Sequence, residues 1–290
     1  MSNNENGGAS FKLYRYTPSL VAAVIFIVLF VLATFYHLYQ VVRTRSWFFT
    51  VFVVGGAFQI IGYICRALAH DNTENIPIYS VGTIMILLAP PLYAASIYMT
   101  LGRLIVLLDA EKLSLVPVKW LTAIFVTGDV IAFLMQAAGG GIMASGTISA
   151  MTTGEHITIG GLAVQLVFFT VFIVASSIFH YRIRNNPTEK SVSRSGTTTW
   201  EVVMTGLYVA SILILIRSIF RLIEYAQGNN GYLISHEAFM YVFDSTLMFF
   251  AMVTMSIFHP SKVLSRPSKR QRSSKRSRLE RMELSSSTEV

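Results

Sequence analysis

Seven ionisable residues stand inside or against strongly apolar runs of this chain: Arg66, Arg217 and Arg221, with Asp129, Glu224, Glu237 and Asp244. Where water is scarce, a carboxylate receives an ammonium or carries a proton, and a guanidinium's planar fork receives a phosphate or a carboxylate. Gln59, Gln136 and Tyr241 add neutral polar groups at similar spacings. Tyr93 and Tyr98 follow the Pro90-Pro91 pair and are candidates for lining an alkyl-chain route, with ordinary helix packing as the alternative. The set suits a zwitterionic or cationic amphiphile.

Other chemistries find less support. Cys65 is the one cysteine, which rules out an intramolecular disulfide or a Cys-based zinc cluster. No G-x-x-x-x-G-K-[ST] loop occurs, so direct ATP-driven pumping is not expected, and a proton-coupled or downhill mechanism is. His37, His180 and His259 are expected at one depth near span ends, but H-E-x-x-H pairs are missing, and interfacial capping is their expected role. No cofactor, metal or enzymatic activity is expected.

These residues must be positioned by membrane helices. Of 290 residues, 53% are hydrophobic and only 13% charged, against about 25% charged in soluble domains. Seven segments reach the roughly 20 residues a bilayer crossing needs: Leu20–Val42, Trp47–Ala69, Ile78–Leu108, Val116–Ala144, Ile157–Tyr181, Trp200–Ala226 and Ala238–Lys262. Pro90-Pro91 is expected to interrupt the third and Gly139-Gly140-Gly141 to end the fourth early. The fold class is an all-α seven-transmembrane helix bundle. Connections after spans one, three and five carry Arg43, Arg45, Lys112, Lys119, Arg184, Lys190 and Arg194, whereas the loops at 70–77, 145–156 and 227–235 hold no Lys or Arg. The N-terminus is therefore expected outside and the C-terminus in the cytoplasm.

Helical spacing then groups the charges. Arg217, Arg221 and Glu224 fall on one stripe of span six, and Tyr241, Asp244 and Met248 on one stripe of span seven. Gln59, Tyr63 and Arg66 share a face of span two, and Asp129 and Gln136, seven apart, nearly eclipse in span four. A lone charge at mid-bilayer costs about 2.5–3.5 kcal/mol, so these groups are expected to face one another in a polar chamber nearer the outer leaflet. The structural alternative is an ion-pair network that only locks the spans together.

Several longer motifs carry a family resemblance. They are YTPSL at Tyr16, GYICRAL at Gly62, LLAPPLYAASIYMTLGR ending at Arg103, and TGDVIAFLMQAAGGG from Thr127, then RSIFRLIEY, GNNGYLISHEAFMYVFD and His259-Pro260. In order and spacing over residues 14 to 262, the chain resembles the fungal lipid-translocating exporter family linked to aminocholesterol resistance. The resemblance implies a plasma-membrane protein, other endomembranes being the alternative, that exports or flips sphingoid long-chain bases or sterol-like amphiphiles; one branch takes up porphyrin. The family usually shows an acidic residue where this chain has Gln59, so the chamber here has one negative charge fewer.

The alternatives to transport are a seven-span lipid or stress sensor and an intramembrane lipid hydrolase. A retinal receptor is not expected, because the late spans hold no lysine before Lys262. The domain reading is an extracellular segment 1–16, a bundle 17–262, and a basic, serine-rich cytoplasmic tail 263–290 expected to be disordered. Nine Lys and Arg from Lys262 to Arg281 concentrate the net charge of +8 at one end, which points to anionic lipid rather than nucleic acid, with serine phosphorylation weakening the attraction. Gly55-Gly56 and Gly62 leave room for close helix contact, and a homo-oligomer stays open.

Overall fold

The computed structural model describes residues 18–70, 75–143, 147–193, 200–228 and 231–264. Regular structure among them is entirely helical. Seven helices are long and apolar enough to cross a membrane: Leu20–Thr44, Trp47–Leu68, Ser80–Leu107, Val118–Met143, Thr152–Asn185, Trp200–Ala226 and Glu237–Ile257, taken below as spans one to seven. The chain is a multi-pass, all-α membrane protein. The segments before Pro18 and after Leu264, including Tyr16 and Thr17 of YTPSL and most of the basic tail, lie outside the described residues.

Local signals set the starts. Ser19 caps span one through its hydroxyl, which accepts from the Ala22 amide, and Arg45 closes the other end in a left-handed conformation (φ 53°). Asn75 and Thr147 cap the helices of spans three and five in the same way. Thr147 explains why the fifth helix begins at Ile148 rather than at the expected Ile157: the polar TTGEH run belongs to the helix.

Two expected breaks are absent. The helix of span three runs unbroken over Ile76–Leu107 with Pro90 and Pro91 inside it. An interior proline costs about 3 kcal/mol or more, yet both rings are buried between neighbouring helices. The packing around them holds the helix together. Likewise the helix of span four continues through the glycine triplet to Met143. A Cβ on Gly139 would lie 2.5 Å from the Gly154 carbonyl oxygen, and one on Gly154 would lie 2.5 Å from that of Gly139. These glycines let the backbones of spans four and five touch, which is a packing role and not a terminating one.

Span seven departs in another way. It begins as α-helix at Glu237–Met240, turns π-helical over Tyr241–Thr246 and resumes as α-helix over Leu247–Ile257. It stops before His259-Pro260, where proline disfavours helix in the residue before it, so the expected extension to Lys262 is replaced by a separate short helix, Ser261–Leu264.

Each span packs on the next, span seven also meets span one, and span three meets span six. Span three takes the centre, with 72% of its most apolar stretch buried against 28% for span one. The bundle has an inverted distribution of polarity. Leu32 and Phe35 are more than half exposed on its outside, while Arg217 and Asp244 are almost fully enclosed. That pattern fits lipid as the surrounding solvent.

Candidate functional site

The stripe of span six faces inward. Arg217, Arg221 and Glu224 are all buried, and Asp244 of span seven, itself with no exposed surface, sits between the two arginines. Arg217 donates from Nε to Asp244 Oδ1 at 2.9 Å and from Nη2 to Oδ2 at 3.4 Å. Arg221 donates from Nη1 to Glu224 Oε2 at 2.6 Å, and its Nε lies 3.7 Å from Asp244 Oδ2. Two cations and two anions thus form a neutral array. Burying them is tolerable only because each has a partner.

The π-helical turn presents Asp244. Within it Thr246 Oγ1 donates to the Tyr241 carbonyl five residues back at 2.8 Å, and Ser245 Oγ to that of Met240 at 3.4 Å. Ser245 also bonds the Tyr63 hydroxyl of span two. Such turns recur at functional positions because they re-aim side chains that a regular helix would present elsewhere.

A second group ties spans one, two and seven at the end where span one begins. Arg66 Nη2 lies 3.1 Å from Glu237 Oε1, Arg66 Nε donates to the Tyr241 hydroxyl at 3.3 Å, and its guanidinium lies 5.5 Å from the Tyr241 ring centroid. The Ser19 amide donates to both Glu237 oxygens at 2.9 and 3.0 Å. Glu237 is therefore also an anion at the start of the span-one helix dipole. Phe26 stacks on Tyr241 at 5.3 Å and Phe30 on Tyr63 at 5.4 Å, giving the charges an aromatic flank.

The expected face of span two is real: Gln59, Tyr63 and Arg66 are all buried. Gln59 has no hydrogen-bond partner for either amide atom among the described residues. A buried polar group left so costs about 1–3 kcal/mol.

Span four does not join the array. Asp129 accepts from the Tyr98 hydroxyl at 3.0 Å, its other oxygen lacks a hydrogen bond, and it has no basic partner among the described residues. Gln136 donates to Gln165 of span five at 3.0 Å. The single chamber expected of spans two, four, six and seven is thus met as separate polar groups, because central span three supplies the partner for Asp129. Tyr93 is fully buried, donating to Met252 Sδ at 3.3 Å and packing on Phe52 at 4.5 Å.

The histidines fall in two places. His37 and His259 are buried, with ring centroids 6.3 Å apart, and His37 Nε2 lies 2.9 Å from both the Met252 carbonyl and Ser256 Oγ. His180 packs elsewhere, against Trp200 and Tyr208. His259 Nδ1 accepts from the Ser261 amide at 3.3 Å, at the start of the Ser261–Leu264 helix. No three His, Cys, Asp or Glu side chains among the described residues form a metal-ligand set.

Sequence reasoning passed over Ser19, Gln165 and Ser245. Only Ser19 carried a signal, as a capping residue just before an apolar run.

Residues 52–267 match the family described as RTA1 like protein. The chain belongs to the RTA1-like family. Protoporphyrin uptake protein 1 of Saccharomyces cerevisiae is 34% identical, over 89% of this chain and 94% of its own length. The probable lipid transporter atnI of Emericella nidulans is 31% identical, over 91% of this chain and 72% of its own. The sphingoid long-chain base transporter RSB1 of Saccharomyces cerevisiae is 27% identical, over 84% and 72%. No solved structure matches the chain. Lipid transport is thus an activity named within the family, which agrees with the resemblance drawn from the motifs.

Proposed function

We propose that this chain moves amphiphilic lipids, such as sphingoid long-chain bases or sterol-like and xenobiotic amphiphiles, across the plasma membrane. Bundle residues 17–262 carry the activity, with the array open toward the outer leaflet when a substrate enters. The observation that carries this reading is the buried Arg217–Asp244–Arg221–Glu224 array. The names of related lipid and long-chain base transporters support it. A substrate ammonium takes the place of an arginine at Asp244 or Glu224, and a phosphate or carboxylate takes the place of a carboxylate at Arg217 or Arg221. Exchange of partners lets a zwitterionic head group pass the low-dielectric bundle with no change in net charge, and a cationic long-chain base does so as its neutral amine or with an accompanying anion. Arg66, Glu237 and Tyr241 receive the head group nearest the outer surface. Gln59, with its unused amide, offers a further hydrogen bond, and Asp129, Gln136, Tyr93 and Tyr98 line the tail side.

Liposomes carrying the purified protein and a fluorescent long-chain base test this. Leaflet exchange is expected with the native protein and is strongly reduced in Arg221→Ala. Equal exchange in both, or none in either, overturns the mechanism.

A further inference from the structure

One cation within the spans stands apart from every ion pair above. Arg103 is exposed in span three, four residues before the helix ends at Leu107, and has no hydrogen-bond or ion-pair partner among the described residues. Its guanidinium lies 4.2 Å from the ring centroid of Phe48. That contact holds the charge against the start of span two rather than leaving it free in solvent.

A groove of about 590 Å³ opens beside it, between spans three and four. Met99, Val106, Leu107 and Val118 give it an apolar lining, and Arg103 and Thr122 supply its polar atoms. Gly102 leaves the space clear, since a Cβ there would meet nothing nearer than 3.8 Å.

Depth decides what fits. At 1.5 Å per residue, Arg103 lies about 6 Å from the end of its helix, level with head groups rather than acyl chains. Trp47 and Trp120, both more than 60% exposed, mark the same end of the bundle in the manner of an interfacial aromatic belt. Lys119, exposed and adjacent to Val118, adds a second cation there. An unpaired guanidinium facing lipid at this level is stabilised by an anion.

We propose that this groove is a binding site for one anionic glycerophospholipid. Its phosphate is held by Arg103 with the Thr122 hydroxyl, Lys119 favours the net negative head group, and one acyl chain lies along Met99, Val106 and Val118. The site is separate from the buried array, so loss of lipid here and loss of long-chain base movement are distinguishable.

The purified full chain, titrated in detergent with phosphatidylserine or phosphatidylcholine, is read by native mass spectrometry for bound lipid. The first phosphatidylserine is expected to bind roughly fivefold tighter than the first phosphatidylcholine. Arg103→Gln removes that preference and Arg103→Lys keeps most of it. Gly102→Leu fills the groove and removes the first adduct of either lipid. The basic tail is present in every variant, so its background is common to all. Absence of a preference in the native protein overturns the proposal, as does either variant, Arg103→Gln or Gly102→Leu, retaining native binding. Should Arg103→Gln fail to fold, Gly102→Leu decides alone, because its new Cβ stays at ordinary contact distance, 3.8 Å from Thr122 Oγ1 and Val118 Cγ1.

Discussion

At the scale of residues, Asp244 holds the most demanding position, enclosed between two arginines on a neighbouring helix. Removing one member of a buried pair costs about 3–5 kcal/mol, whereas replacing both with apolar groups is often neutral or stabilising. Arg217→Ala is therefore expected to lower the thermal midpoint markedly, while Arg217→Leu combined with Asp244→Leu recovers most of it. Scanning fluorimetry reads stability and the liposome assay reads transport. A double variant that is stable but inert supports a working array; one that is stable and active reduces the pair to a clamp. The stripe itself was legible, because spacings of four and three put Arg217, Arg221 and Glu224 on one side of any helix. Their pairing with Asp244 was not, since it depends on how span seven is wound.

At the scale of elements, the misreadings share a cause. Gly139-Gly140-Gly141 reads locally as a stop and Pro90-Pro91 as a break, but both sit in helices held by their neighbours. Local propensity lost to packing. The glycines separate the two roles cleanly: Gly154 faces the Gly139 carbonyl, whereas Gly140 and Gly141 meet nothing within 4 Å. Gly154→Leu is expected to separate spans four and five and give an aggregating protein on size exclusion. Gly140→Ala is expected to fold normally and gain up to about 1 kcal/mol from reduced chain entropy. Equal behaviour of the two would remove the packing explanation. The π-helical turn left no trace in the sequence, because hydrophobic spacing does not report a single added residue per turn.

For the whole molecule, seven spans, their apolar exteriors and their inward charges followed from composition and periodicity, and the structure places them so. Lys and Arg concentrated in the loops after spans one, three and five predict the sidedness of the bundle. In a Cys65→Ser background, Tyr232→Cys is expected to react with a membrane-impermeant maleimide on intact cells. Glu189→Cys is expected to react only after permeabilisation. The reverse pattern would turn the bundle over, and with it the leaflet that the buried array addresses.

The first amide of the bundle, that of Ser19, is spent on Glu237, and His70 holds the adjacent Pro18 carbonyl at 2.8 Å. Whatever is attached just upstream therefore tugs on the carboxylate that pairs with Arg66, like a rope tied to a hinge pin. A fluorescent protein or affinity handle fused there with a short linker is expected to perturb activity for reasons unrelated to trafficking. The same handle placed beyond Leu264 leaves that tether alone, and it is the safer end for anyone labelling this protein in cells.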